Sequence, residues 1–235
     1  MQSSSVTAPN GQQYTVYVRD EADESVIAEI FKLREYRAAE LIIKEAVSPI
    51  IDVGAHSGLF TLYARALNAT VPLIAIEPEP NNLVLLKKHL AENRISGVTV
   101  IEGALAGTTG KRKLIVSPDS HNHHLLEKGE NSIKEMVVVP GYDFAAVVKK
   151  LASKQISLIK MDIEGGEYEV LESFSPEHFK MVGASIMEYH TFRGHHYQEI
   201  EMRLRENGFG VQIFPSKFDR QMGFIFATNK RTYYE

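Results

Sequence analysis

The sequence predicts an α/β fold, with a mostly parallel sheet, helices on both of its faces and an antiparallel hairpin at the C-terminal end. From Pro49 onward, short apolar runs such as 50–53 and 156–161 alternate with stretches whose apolar residues recur at helical spacing. Strands that alternate with helices are typical of a parallel sheet. Near the C-terminus, the β-rich runs 211–214 and 223–227 are separated only by a short polar segment, which predicts the hairpin.

Length, composition and charge set the limits of the class. The chain has 235 residues, of which 44% are hydrophobic and 24% charged, and this suits one globular α/β domain. The net charge of −4 gives no general attraction to nucleic acid or to an anionic membrane. The absence of cysteine excludes disulfides, a thiolate nucleophile and cysteine-based zinc sites. We see no signal peptide and no apolar run of the roughly 18 residues that a membrane helix needs, so we expect a cytoplasmic protein without membrane insertion.

The elements are predicted in chain order. Residues 1–12 read as a frayed tail, residues 13–18 as a short strand, and residues 26–33 and 37–46 as helices with apolar residues on one side. The further predicted strands are 50–53, 72–76, 98–101, 114–116, 136–139, 156–161, 184–187, 211–214 and 223–227. The further predicted helices are 58–67, 80–94, which admits Pro80 in its first turn, 144–151, 168–173 and 197–207, which stops at Gly208.

The organisation of the chain is predicted to be simple. No internal repeat, low-complexity tract or Pro/Gly-rich linker separates two domains. We therefore expect residues 1–48 to form an N-terminal tail, a short strand and helices that pack on the core, and residues 49–235 to form a single domain. The polar loop within 117–135 is expected to act as a lid or substrate loop.

Acidic residues recur at the predicted strand ends. They are Asp52, Glu77, Glu102, Asp162 and Glu188. Ligands in parallel sheets bind beyond the carboxyl ends of the strands, where the strand order switches. One such acid is usually a solvated loop residue, but repeated placement at strand ends indicates a binding site.

The turn after the first core strand carries the first motif, in which Gly54 and Gly58 flank His56 and Ser57. The dinucleotide fingerprint has a glycine where this chain has His56, so a close pyrophosphate contact is not expected. The wider turn suits a thioether chain with an amino-acid head. Gly54 would pass close to that chain, Asp52 would lie near the ammonium group, and N–H groups of the next helix could receive the carboxylate. The alternative is an ordinary strand-to-helix turn with packing glycines.

The next two strand ends suggest a nucleoside. Glu77, followed by Pro78, lies about 20 residues past the glycine turn, where an acid can accept both ribose hydroxyls. An acid that stabilises the start of the next helix is the alternative. The run Glu102-Gly103-Ala104 could contact the edge of an adenine ring. S-adenosylmethionine combines an amino-acid head with a ribose and an adenine, and is the cofactor that these residues predict.

A second constellation supplies candidate catalytic groups. Asp162, Glu164 and Glu167 follow a buried strand, and Glu188 and His190 follow the next one. The mutual repulsion of these acids must be offset, and a cationic donor would do so. Histidine is well matched to accepting a hydroxyl proton near neutral pH.

Two groups of residues are of types that can ligate a metal ion. Asp162, Glu164, Glu188 and His190 could hold a divalent ion, but a metal is not favoured, because acid clusters in single sequences are usually not metal sites. The remaining histidines are interpreted as surface residues rather than zinc ligands; they are His121, His123, His124, His195 and His196.

The sequence resembles the FkbM-type methyltransferases from roughly residue 19 to residue 229. The motifs that carry the resemblance are Arg19-Asp20, Glu29-Ile30-Phe31, Tyr36, Asp52-Val-Gly54-x-x-x-Gly58, Glu77-Pro78, Ala104-Leu105, Lys160-x-Asp162-x-Glu164-Gly165-x-Glu167 and Glu188-x-His190. The resemblance implies a class I, Rossmann-like methyltransferase fold of seven strands with the last antiparallel, and O-methylation of a hydroxyl or carboxyl group. Two departures from the pattern are His56, where a small polar residue is common, and Glu102-Gly103, where a more amide-rich turn is expected.

The predicted function is transfer of a methyl group from S-adenosylmethionine to a hydroxyl of a small molecule, sugar or lipid. His190, or else His56, would act as general base, Glu164 or Glu188 would orient it, and Asp162 would lie beside the methionyl moiety and the acceptor. Nucleic acid is not expected as a partner, and the oligomeric state stays open. The alternatives are an RNA methyltransferase, a catalytically silent S-adenosylmethionine-binding domain and a nicotinamide oxidoreductase.

Overall fold

A computed structural model describes residues 1–116, 124–126, 135–151, 153–191, 194–216 and 221–230. The strands are β1 (Gln2–Thr7), β2 (Gln13–Val18), β3 (Ile50–Val53), β4 (Leu73–Glu77), β5 (Val98–Glu102), β6 (Ala104–Leu105), β7 (Gly110–Ile115), β8 (His124–Leu125), β9 (Met136–Tyr142), β10 (Ile156–Met161), β11 (Val182–His190), β12 (Phe209–Pro215) and β13 (Met222–Asn229). The helices are α1 (Glu21–Ile27), α2 (Glu40–Glu45), α3 (Leu59–Leu67), α4 (Pro80–Glu92), α5 (Phe144–Val148), α6 (Glu167–Ser173), α7 (Pro176–Met181) and α8 (Tyr197–Glu206). A π-helical turn, Ala28–Leu33, and a 3₁₀ helix, Glu35–Ala39, connect α1 to α2.

The central sheet has seven strands in the order β12-β13-β11-β10-β3-β4-β5. The five strands from β11 to β5 run parallel, whereas β13 is antiparallel to both β11 and β12. The predicted mostly parallel sheet with its C-terminal antiparallel hairpin is therefore confirmed. The chain moves outward in one direction from β3 through β4 to β5 and in the other from β10 to β11, so the strand order switches between β3 and β10.

Alternate residues of the central strands supply two hydrophobic layers. Ile51 and Val53 face the core that contains α5, α6 and α8, whereas Ile50 faces the core that contains α3 and the N-terminal segment. All four residues of β3 and all five of β4 are buried. Strands buried on both faces read as continuous apolar runs, which is why the sequence pattern located them.

The prediction of a frayed tail at residues 1–12 is wrong. Residues Gln2–Thr7 form β1, which pairs antiparallel with β2. Only Val6 of this strand is buried, so its polar Ser3 to Ser5 run carried no apolar alternation that sequence analysis could detect. The hairpin is held by strand pairing and by the packing of β2 on α4.

The N-terminal helical segment is less regular than predicted. The helix expected at 26–33 begins earlier, as α1, and continues as the π-helical turn Ala28–Leu33. Arg34 then takes a left-handed conformation, with φ of 54°, and its guanidinium donates to Glu40 at the start of α2. This turn folds the segment back over the carboxyl edge of the sheet.

A second sheet lies between β5 and α5, with the strand order β6-β9-β7-β8. It contains the predicted β-rich runs 114–116 and 136–139. Of the predicted polar loop, His124 lies in β8, and residues 117–123 and 127–134 lie outside the described residues. Within the described part of the chain, no helix is long and apolar enough to span a bilayer.

Candidate functional site

A cavity of about 960 Å³ opens beyond the carboxyl ends of the central strands. Its floor is formed by the turns that follow β3, β4 and β10 and by the end of β11, which surround the point where the strand order switches. The N-terminal helical segment, the second sheet and the β12–β13 hairpin form its walls. Its position is the one that doubly wound sheets use for ligands.

The glycine turn after β3 is locked against the end of β10. Gly54 has φ of 70°, and a Cβ atom there would lie 1.9 Å from the carbonyl oxygen of Asp162. No other residue fits this close approach. Gly58, with φ of 82°, caps the start of α3.

Lys160 fixes the same turn from below, although sequence analysis gave it no role. Its buried Nζ donates to the carbonyl oxygen of Gly54 at 2.9 Å and lies 3.5 Å from Asp52 and 3.6 Å from Asp162. Burial acts to lower the pKa of Lys160, but the two carboxylates outweigh it and raise the pKa. The lysine therefore stays charged and neutralises acids on both sides of the turn.

Asp52 does not reach the cavity. Its carboxylate is buried, its Oδ2 accepts a hydrogen bond from the hydroxyl of Thr61 at 2.7 Å, and its Oδ1 makes no hydrogen bond but lies 3.5 Å from Nζ of Lys160. Burial raises its pKa despite the nearby Lys160. The structure thus connects Asp52 to the glycine turn through Lys160 and shows no direct access from Asp52 to a ligand.

Glu77 lies on the cavity wall beside Pro78. One carboxylate oxygen accepts the backbone N–H of His56 at 2.7 Å, and the other accepts the N–H of Glu79 at 2.9 Å and faces the Asn82 amide at 3.4 Å. Burial raises its pKa to about 7, even though these donors act to lower it. The group can therefore change charge near neutral pH.

The predicted adenine-edge residues separate in the structure. Ala104 lines the cavity together with Leu105. The side chain of Glu102 is 60% exposed and forms an ion pair with Lys87 at 2.7 Å, outside the cavity. A Cβ atom at Gly103 would lie 2.6 Å from the carbonyl oxygen of Pro140 in β9. The glycine therefore allows the second sheet to pack closely against the end of β5.

His56 and Ser57 occupy different positions within the glycine turn. His56 lines the cavity in a left-handed conformation with φ of 50°. Ser57 is buried, and its carbonyl oxygen lies 2.7 Å from Nδ1 of His89 in α4. Neither Ser57 nor Gly58 belongs to the cavity lining.

The acidic turn after β10 divides its carboxylates between folding and the cavity. The buried Glu167 accepts the backbone N–H groups of Ile163 at 2.8 Å and Gly165 at 2.9 Å, so it closes the turn. Asp162 and Glu164 line the cavity, and Glu164 has φ of 55°. One of the three acids is thus needed for the local fold, which the sequence pattern did not indicate.

His190 lies between two carboxylates at the end of β11. Its Nε2 is 3.7 Å from Glu164 and 3.9 Å from Glu188. Its Nδ1 is buried and has no hydrogen-bond partner among the described residues. Burial, together with Asp162 and Glu164, raises the pKa of Glu188 well above its ordinary value. The four predicted catalytic residues are thus neighbours in one cavity.

The N-terminal segment adds acids that sequence analysis had not assigned to the site. Glu29 and Glu35 line the cavity next to Tyr36, whose ring centre is 5.9 Å from Nζ of Lys160. Burial raises the pKa of Glu35, and the charges of Glu29 and Asp162 add to the effect. The motifs at positions 29–31 and 36 carried part of the family resemblance, but nothing in their local pattern marked them as cavity residues.

The candidate metal-ligating histidines and acids do not form a metal centre in the described part of the chain. No three His, Asp or Glu side chains there are arranged to hold a metal ion. His195 stacks on Tyr168 and contacts Glu199 at 2.9 Å on the surface. His121 and His123 lie outside the described residues.

Comparison with known proteins identifies the family. Residues 52–211 match the family described as the methyltransferase FkbM domain, and this range contains the glycine turn, Glu77 and the acidic turn. The chain belongs to the FkbM methyltransferase family. It is therefore an S-adenosylmethionine-dependent methyltransferase with the class I fold, as the sequence motifs predicted.

Two relatives of the chain are named as methyltransferases. The chain is 28% identical over 191 residues to methyltransferase sdnD of Sordaria araneosa, covering 69% of this chain and 73% of that protein. It is 23% identical over 190 residues to the 31-O-demethyl-FK506 methyltransferase FkbM of Streptomyces tacrolimicus, covering 69% and 72% respectively. Among solved structures, a Streptococcus mutans protein in complex with S-adenosylhomocysteine (SAH) has a TM-score of 0.51 at 9% identity. The likeness covers 83% of this chain and 97% of that one and supports the fold.

Proposed function

We propose that this FkbM-family protein transfers a methyl group from S-adenosylmethionine to a hydroxyl group of a small molecule, sugar or lipid. The observation that carries the proposal is the juxtaposition of His190, Glu164 and Glu188 with Asp162 in the cavity whose other end contains Glu77. A relative whose name states an O-demethylated substrate supports oxygen as the acceptor atom.

The residues present fit the cofactor. Glu77 offers a carboxylate to two ribose hydroxyls, and Pro78, Ala104 and Leu105 offer apolar surface to an adenine ring. Gly54 and Asp162 would adjoin the methionyl chain. The acids of the cavity suit a ligand with two positive centres, and the volume of about 960 Å³ is at the upper end of ligand pockets, which leaves room for an acceptor.

The proposed chemistry assigns one proton movement to the protein. Bound S-adenosylmethionine supplies a methyl group that is already activated for transfer. His190 accepts the hydroxyl proton at Nε2, and Glu164 at 3.7 Å stabilises the resulting imidazolium. The positive charge of the ring in turn favours the ionised form of Glu188, which lies 3.9 Å away and whose pKa is otherwise raised. The cavity walls formed by the N-terminal helical segment and the β12–β13 hairpin hold the acceptor and exclude water.

Replacing His190 tests this assignment. His190→Gln should lower kcat about 10²-fold or more, because a positioned base contributes this much, and it should leave SAH affinity within about twofold, because His190 is placed on the acceptor side. Methyl transfer from labelled donor to a panel of polyols, sugars and hydroxylated natural products measures the first quantity, and calorimetry with SAH measures the second.

His195→Gln is the matched control, since His195 lies on the surface beside Glu199. Equal loss of turnover and SAH affinity in His190→Gln would contradict the base assignment. SAH binding without transfer to any acceptor in the panel would favour a catalytically silent binding domain.

A further inference from the structure

Arg19, one of the residues that carry the family resemblance, precedes the matched range 52–211 and contacts the residues that surround Glu77. Its Nε and Nη2 donate to the two carboxylate oxygens of Asp23 at 2.9 and 2.7 Å, and its backbone N–H donates to the same group at 2.8 Å. Asp23 is 1% exposed. A bidentate pair with a buried carboxylate holds the guanidinium in one orientation.

The remaining donors of this guanidinium contact two side chains of the cofactor end of the cavity. Nη1 donates to Oδ1 of Asn82 at 2.8 Å, and Nη2 lies 3.1 Å from Nε2 of His56. A guanidinium can only donate, so Nε2 of His56 is the acceptor in this contact. For the same reason the Asn82 oxygen faces Arg19, and its NH₂ group is directed away from it.

Both side chains act on Glu77. The Asn82 NH₂ group lies 3.4 Å from one oxygen of Glu77, and the His56 backbone N–H donates to the other at 2.7 Å. His56 provides that N–H from a left-handed conformation, which costs a non-glycine residue about 1 kcal/mol. The contact between Arg19 and the His56 ring stabilises this conformation.

We propose that Arg19 is a positioning residue of the ribose site, acting through His56 and Asn82 to hold the Glu77 carboxylate in its binding orientation. The inference rests on the proposed role of Glu77. It assigns part of the cofactor site to the N-terminal segment. A purely structural role for Arg19, attaching α1 to the core through Asp23, is the competing explanation.

A double-mutant cycle on SAH affinity separates the two explanations. Arg19→Lys keeps the positive charge but removes the planar guanidinium, whose several N–H groups donate in fixed directions. It should weaken SAH binding about tenfold, because one or two buried hydrogen bonds are lost. Glu77→Gln should weaken it by a similar or larger factor. If Arg19 acts through Glu77, adding Arg19→Lys to Glu77→Gln should change the affinity less than twofold, whereas independent effects multiply.

Arg34→Lys is the matched control, because Arg34 forms a forked ion pair with Glu40 in the same N-terminal segment and has no contact with Glu77. It should leave SAH affinity unchanged. Multiplicative losses in the double mutant, or an equal loss in Arg34→Lys, would overturn the role of Arg19. If Arg19→Lys fails to fold, Asn82→Ala replaces it in the cycle with the same expectation.

Three results are thus distinguishable. Undetectable SAH binding to the unmodified protein would contradict the proposed function. Full SAH affinity in Glu77→Gln would contradict the ribose site and the inference together. Weakened affinity in Glu77→Gln with full affinity in Arg19→Lys would contradict the inference alone.

Discussion

Glu77 has both a structural role and a position on the cavity wall. Its carboxylate closes the local structure by accepting backbone N–H groups of His56 and Glu79, and it lies on the cavity wall, where a ligand can reach it. Burial makes the charged form costly, which raises its pKa to about 7. A ligand that donates hydrogen bonds to the carboxylate favours the charged form.

Nucleoside binding should therefore depend on the ionisation of Glu77. The affinity for 5′-methylthioadenosine should rise about tenfold from pH 6 to pH 8, because the charged fraction of a group with a pKa near 7 rises by that factor. This ligand has the ribose but lacks the titrating amine of the cofactor. Calorimetry at several pH values measures the effect.

Glu77→Gln removes the titrating group and should give a flat profile over the same pH range. A flat profile in the unmodified protein would show that Glu77 does not titrate on ligand binding.

At the scale of elements, α4 holds the N-terminal hairpin through two polar side chains. Asn93, which follows α4, donates to the carbonyl oxygen of Thr15 and accepts its N–H, both at 2.8 Å. His89 accepts the N–H of Tyr17 at Nε2 and donates from Nδ1 to Ser57. One helix thus completes the free edge of β2 and supports the glycine turn.

The fully buried His89 should make folding sensitive to acid. Burial lowers its pKa below the ordinary 6.5, so the folded protein keeps the ring neutral where the unfolded chain would protonate it. The contribution of His89 to the free energy of unfolding should be complete above about pH 6.5 and should decline as the pH falls below that value. Urea unfolding at pH 7.5 and pH 5.5 measures it.

His89→Gln provides the comparison, because its side chain keeps an acceptor and a donor but does not titrate. The stability difference between the unmodified protein and this variant should shrink at the lower pH. A difference that stays constant would mean that His89 is not neutral in the folded state.

The elements also show what the sequence could reveal. The buried strands β3 and β10 were predicted with their observed bounds, because burial on both faces produces a continuous apolar run. Strand β1 was missed, since a hairpin edge whose side chains are mostly exposed needs no apolar pattern. The π-helical turn and the left-handed Arg34 could not be predicted from periodicity, because long-range packing decides them.

The site was predictable to the same extent. Glycines and acids at strand ends mark one edge of a parallel sheet, and Glu77, Asp162, Glu188 and His190 indeed line one cavity. Whether a side chain at that edge faces the ligand depends on its own register and neighbours. Asp52 is buried below the turn and Glu102 lies outside the cavity, and neither position could be derived from spacing.

At the scale of the whole molecule, the N-terminal segment and the core share one hydrophobic cluster. Ile43 of α2 is fully buried there, together with Ile50 and Ile186 of the central sheet. We expect residues 1–48 and 49–235 to unfold together. Ile43→Ala should lower the free energy of unfolding by about 2–5 kcal/mol, as truncation of a buried Ile does.

Far-UV circular dichroism and tyrosine fluorescence should report the same urea midpoint for Ile43→Ala. Leu41→Ala, on the exposed side of the same helix, should change stability by less than about 0.5 kcal/mol. Two separate transitions, with only one shifted by Ile43→Ala, would show that the N-terminal segment folds independently.

Three segments of the chain place carboxylates at the end of the cavity that contains His190, where the acceptor is proposed to bind. This placement has a consequence for selectivity. Glu29 and Glu35 come from the N-terminal segment, Glu164 from the turn after β10 and Glu188 from β11, and each lines the cavity. The raised pKa values of Glu35 and Glu188 reduce their charge, but a phosphorylated or carboxylated compound entering this end would repel whichever of the four groups are ionised, in a partly dry space where repulsion is poorly screened. We therefore expect a free alcohol or an amino sugar to be methylated in preference to the phosphate ester of the same compound, which a competition assay between the two acceptors would measure.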